Sequence, residues 1–113
     1  MTPNHDRRDG ARSAGRIVVN VPAGLPRPLV AGYLARARDG LTALRDVLDR
    51  HDYDGARVLG HRMKGSGRAY GFGELTDAGA RIEQAAARGD GAALEEAIVG
   101  VESYLGRVEL AGA

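Results

Sequence analysis

The sequence predicts an all-α protein, an antiparallel up-down-up-down four-helix bundle with an extended N-terminal segment. Three observations carry this expectation. Apolar residues recur at three-and-four spacing along four successive stretches, short breaks built from glycine, proline and aspartate separate them, and only one β-branched run interrupts the pattern. Short breaks between amphipathic helices make neighbours antiparallel. The 113 residues suffice for one hydrophobic core, and aromatic residues make up only 4% of them, so the core is mostly aliphatic.

Residues 1–22 read as a flexible tail or linker with a short extended segment, and residues 23–113 as the bundle. Up to about Gly15 the chain is polar and aperiodic, with Arg7, Arg8 and Arg12 and one of the three histidines, His5. Ile17-Val18-Val19-Asn20-Val21 is the strand-like run; with no second such run to pair with, it is expected to lie extended against the helices. Pro22, Pro26 and Pro28 mark a loop entering the first helix, because proline is tolerated in a first turn and not in the interior. Val30, Tyr33, Leu34, Ala37, Leu41, Leu44 and Leu48 then make one long stripe from Pro26 to Arg50, with Gly40 as a bend. Asp52 is placed to cap the second helix, on which Ala56, Leu59, Gly60, Met63, Gly67 and Tyr70 share a face. Gly71-Phe72-Gly73 turns the chain into the stripe Leu75, Ala78, Gly79, Ile82, Ala85 and Ala86. Gly89-Asp90-Gly91 ends that helix and caps the last, whose stripe runs from Leu94 through Ala97, Ile98, Val101, Tyr104 and Leu105 to Val108.

His61 falls on the side of the second helix opposite its apolar stripe, among Arg57, Lys64, Gly65 and Arg68, so it is expected to stand in water. The cations would welcome an anion attached to a ring nitrogen. Gly65, one turn on, leaves that side of the imidazole unshielded. Glycine in a helix interior costs about 0.5–1 kcal/mol relative to alanine, so Gly60, Gly65 and Gly67 call for an offsetting use. Close approach supplies one: of a partner at Gly65, and of neighbouring helices at Gly60 and Gly67. No carboxylate is evident beside His61 in the sequence to orient its ring. His51 sits at a helix C-terminus, where a histidine complements the dipole.

The run His61-x-x-Lys64-Gly65-Ser66, with Gly71-Phe72 beyond it, closely resembles the signature of bacterial histidine-containing phosphotransfer (HPt) domains. The likeness extends through Arg81 to Asp90 and into the last helix at Tyr104-Leu105, covering roughly residues 26–109. The resemblance implies a four-helix bundle and a phosphorelay function. His61 would take a phosphoryl group from a receiver-domain aspartate and pass it to another receiver. With His61 modified, Lys64 is expected to lie against the phosphoryl oxygens and Gly65 to give access, while Arg57 and Arg68 either steer an acidic partner by their charge or simply solvate the helix. Such a chain is a phosphocarrier and not an enzyme with its own ATP site. It binds no cofactor, and Mg²⁺ comes with the receiver. Its partners are response-regulator receivers and hybrid sensor kinases, and it is expected to be a monomer. A different class of function also fits: a non-catalytic helical module that binds a receiver or kinase without carrying phosphate.

Other classes fit poorly. The formal net charge of +1 lacks the basic excess of a nucleic-acid binder. Without cysteine there is neither a disulfide nor a thiolate metal site, and with no pair of histidines at i, i+4 and no histidine-carboxylate cluster on one face a zinc or iron site has weak support. Gly65-Ser66-Gly67 lacks the order of a nucleotide-binding loop. No apolar run reaches the 18–20 residues of a transmembrane span and no signal-peptide core is present, so a soluble, cytoplasmic protein is expected. The stretch before Pro26 suits a free-standing protein or a segment of a larger one.

Overall fold

A computed structural model describes residues 15–112; the readings made for Arg7, Arg8, Arg12 and His5 lie outside the described residues. Strand β1 (Ile17–Val19) leads into α1 (Arg27–Asp39) and α2 (Leu41–Asp49). Next come α3 (Tyr53–Ser66), a 3-10 turn (Arg68–Tyr70), α4 (Gly73–Ala87), α5 (Gly91–Arg107) and strand β2 (Val108–Leu110). The helices form a four-armed bundle whose first arm is α1 and α2 together.

Pro28 lies in the first turn of α1, where its missing N–H costs nothing. The single helix expected from Pro26 to Arg50 is divided at Gly40, whose ψ of −11° departs from helical geometry while its N–H still reaches Arg36 O. Apart from proline, glycine is the residue least able to hold the helix through that point. Asp52 and Asp90 cap α3 and α5 as their spacing predicts, accepting from Gly55 N–H at 2.9 Å and Ala93 N–H at 3.0 Å. The stripes of α4 and α5 are buried as read, with Phe72, Ile82, Leu94 and Ile98 wholly enclosed.

α3 and α4 pack most closely, and glycine permits it. A Cβ on Gly60 would stand 2.8 Å from both Glu83 N and Gly79 O, and one on Gly67 would stand 2.8 Å from Phe72 O and Thr76 N. α3 ends at Ser66, and Gly71 (φ +95°) supplies the left-handed turn into α4.

Two expectations about the chain ends are corrected. The run at Ile17 does have a partner: β1 pairs in parallel with β2, Ile17 opposite Val108 and Val19 opposite Leu110. Val108, read as the last member of a helical stripe, has left the helix with ψ 141°, yet it is 2% exposed. A buried apolar residue satisfies either period, so spacing alone could not place that helix end. Arg38 secures the junction by donating to Leu105 O at 3.1 Å and Val108 O at 2.7 Å, and Arg27 donates to Ala111 O. Among the described residues, no helix is long and apolar enough to cross a membrane.

Candidate functional site

His61 lies in the middle of α3 on the face away from the core, its side chain 68% exposed. The ring has a partner that the sequence did not disclose: His61 Nδ1 stands 2.9 Å from Glu83 Oε2 on α4. The reading that no carboxylate orients His61 is therefore corrected. The two residues are 22 positions apart, and the Gly60–Gly79 contact lets α4 approach closely enough to bring them together.

Lys64 Nζ lies 2.8 Å from the other oxygen of the same carboxylate, Glu83 Oε1. Glu83 thus holds both residues of the sequence motif. Its acidity responds: the hydrogen bonds from Lys64 first and His61 second hold its carboxyl below the usual carboxylate range, against a smaller opposing effect of burial. At neutral pH Glu83 is an anion and can only accept. The nitrogen facing it must then carry the proton, which assigns the neutral ring to the Nδ1–H tautomer and leaves the lone pair on Nε2. The carboxylate both decides which nitrogen keeps its lone pair and fixes the ring's orientation.

The remaining residues singled out in the sequence are not all gathered with His61. Gly65 follows one turn on, and a Cβ there would meet nothing within 4 Å, so the surface beside the imidazole is open on that side. Arg57 is exposed one turn before His61, with no ion pair among the described residues. Arg68 lies beyond the end of α3, in the 3-10 turn, because Gly67 ends the helix. Its backbone N–H donates to Thr76 Oγ1 at 2.7 Å and its guanidinium pairs with Asp77 at 3.3 Å. The helical wheel that set Arg68 beside His61 assumed one turn too many. Ser66 donates to Arg62 O and contacts Tyr33 Oη at 2.8 Å, binding α3 to α1.

Glu83 left one signal in the sequence that periodicity could have used. It follows the buried Ile82 on α4 and stands next to the apolar stripe rather than opposite it, which puts it at the edge of a helix interface. Which helix lies across that edge is not encoded locally. Among the described residues, no three His, Cys, Asp or Glu side chains form a group able to hold a metal ion.

Chemically, the arrangement is an oriented, solvent-accessible imidazole with a free Nε2, a carboxylate behind it and an ammonium within reach. The family model for the Hpt domain matches residues 28–111. Neither the curated proteins nor the solved structures compared with the chain gave a match.

Proposed function

The chain belongs to the Hpt domain family, whose members are phosphocarriers of two-component signalling, and from that premise we propose that His61 accepts and surrenders the phosphoryl group. The observation that carries the assignment is the Nδ1–Glu83 hydrogen bond on a ring otherwise open to solvent. The donor is an aspartyl phosphate on a receiver domain. The Nε2 lone pair forms the N–P bond as the acyl O–P bond breaks, and the electron pair returns to the receiver's carboxylate. Nδ1 keeps its proton, and the positive charge that develops on the ring faces Glu83.

Lys64 is the mobile element of this scheme. Held by Glu83 before transfer, its ammonium is close enough to turn toward the phosphoryl oxygens and offset their charge as an acidic receiver approaches. Gly65 leaves room for that approach, while Arg57 and Arg68 contribute long-range attraction, the latter weakened by Asp77. Mg²⁺ enters with the receiver, and the reverse reaction to a second receiver follows the same path backwards. The protein acts in the cytoplasm as a monomer.

Incubation with receiver domains charged by acetyl phosphate tests the assignment. Acid-labile label should appear on the wild-type chain and be absent from His61→Gln, with helical circular dichroism unchanged. Label retained on His61→Gln would refute it. Unaltered receiver binding with no label on the wild type would favour the non-catalytic module.

A further inference from the structure

Lysine and arginine together account for 16 residues of the chain, and Lys64 is the one lysine among them. Everywhere else the sequence takes a guanidinium, which stays charged and resists acylation. At position 64 it takes an amine, a nucleophile once it loses a proton. Three features of the structure act on that amine. Its side chain is 43% exposed, and Gly65 beside it leaves open space where a Cβ would meet nothing, so a small reagent can reach Nζ. A proton acceptor is already in place, Glu83 Oε1 at 2.8 Å. Arg57, two turns earlier on the same face of α3, and Arg62 are exposed and have no ion pair among the described residues, so the surface around Nζ attracts anions.

Phosphotransfer brings one class of electrophile to this surface, the acyl phosphate, and an acyl phosphate has two electrophilic atoms. His61 Nε2 takes the phosphorus. We propose that Lys64 Nζ takes the carbonyl carbon of small acyl phosphates, acetyl phosphate being the simplest, and that the resulting amide slows phosphotransfer. The inference rests on the phosphotransfer reading and adds a covalent modification to the same site. The step balances. The ammonium gives a proton to Glu83 Oε1, which releases it to water. The freed amine forms the N–C bond, the bond from the carbonyl carbon to the phosphate oxygen breaks, and phosphate departs with that electron pair and the amine's second proton. Acylation removes the charge that offsets the phosphoryl oxygens and takes away one of the two donors that hold Glu83. An arginine at position 64 would keep the charge but could not be switched in this way.

The test follows acyl and phosphoryl transfer separately. The chain is treated with acetyl phosphate labelled in the acetyl group, with Nα-acetyl-lysine amide in the same solution as a reference amine that has no site around it. Lysine-specific cleavage of the denatured product reports the position, because a chain with one lysine is cut once and acylation abolishes the cut. Lys64 should acylate about tenfold or more faster than the reference, and the advantage should shrink in Glu83→Gln and at high salt. Freed of reagent, the acylated wild type should accept phosphate from a charged receiver about tenfold more slowly than the untreated chain. Lys64→Arg should transfer at one rate whether treated or not. Acylation of Lys64 no faster than that of the reference amine overturns the proposal and leaves the phosphotransfer reading intact. So does an unchanged transfer rate in the acylated chain, or an equal slowing of treated Lys64→Arg. An untreated chain that no charged receiver labels overturns both readings.

Discussion

Glu83 determines how the His61 imidazole is presented. Its carboxylate holds Nδ1–H at 2.9 Å, and removing that acceptor should release the tautomer choice. Glu83→Ala is expected to give ¹⁵N shifts of a mixed His61 tautomer population and slower labelling, whereas Glu83→Gln, which keeps an acceptor oxygen, should retain the Nδ1–H form. The pH dependence has a definite sign. The folded-state pKa of Glu83 lies below its unfolded value, so its contribution to stability is present above the ordinary carboxylate range and is lost as pH falls through the lowered value. Below that point the network with His61 and Lys64 should dissolve, visible as an acid-side loss of stability that Glu83→Gln does not show; the same acid loss in Glu83→Gln would contradict the assignment. For Lys64→Ala, transfer from a charged receiver should slow about tenfold, the kinetic equivalent of one charge-assisted hydrogen bond, without stopping. Equal rates would make Lys64 a partner of Glu83 alone.

At the level of the helix pair, two glycines on α3 have opposite reasons for being there. Gly60 faces α4 with backbone atoms 2.8 Å from where its Cβ would be, so Gly60→Ala must push the helices apart. A cost of about 1–3 kcal/mol is expected from such overpacking, a fall in Tm of several degrees, with the His61–Glu83 hydrogen bond weakened as α4 retreats. Gly65 faces open space, and alanine there should raise stability by about 0.5–1 kcal/mol through helix propensity alone. If Gly65 serves access, the same substitution slows transfer from a receiver. Thermal melts and transfer rates measured on the pair separate packing from access: a stabilised Gly65→Ala with undiminished transfer would remove Gly65 from the site.

Across the whole molecule, the two ends of the described chain are fastened at one end of the bundle. The β1–β2 pair joins residues 91 positions apart at Ile17 and Val108, and Arg38 spans from α1 to the carbonyls that terminate α5. Arg38→Ala leaves those carbonyls to water and should lower stability by about 1–2 kcal/mol in denaturant titration, with little change in phosphotransfer, since the junction does not touch His61. The four stripes were legible because each rests on local spacing: Leu75 to Ala86 and Leu94 to Leu105 are buried where the 3.6 period puts them. The strand pairing, the end of α5 at Arg107 and the departure of Arg68 from the helical face were not, because each depends on a turn or on a partner remote in sequence.

By itself, the order of residues determined that amphipathic helices form, that His61 faces outward beside Lys64 and Gly65, and which family the motif resembles. All of these follow from periodicity and from neighbours within a turn or two. Only the tertiary structure decided that Glu83 stands behind the imidazole, that Lys64 is already engaged, and that Arg36 and Arg62, without an ion pair among the described residues, border a groove on the other flank of α3. Such contacts arise between helices, where glycine at the crossing sets the distance, and no local spacing carries that information.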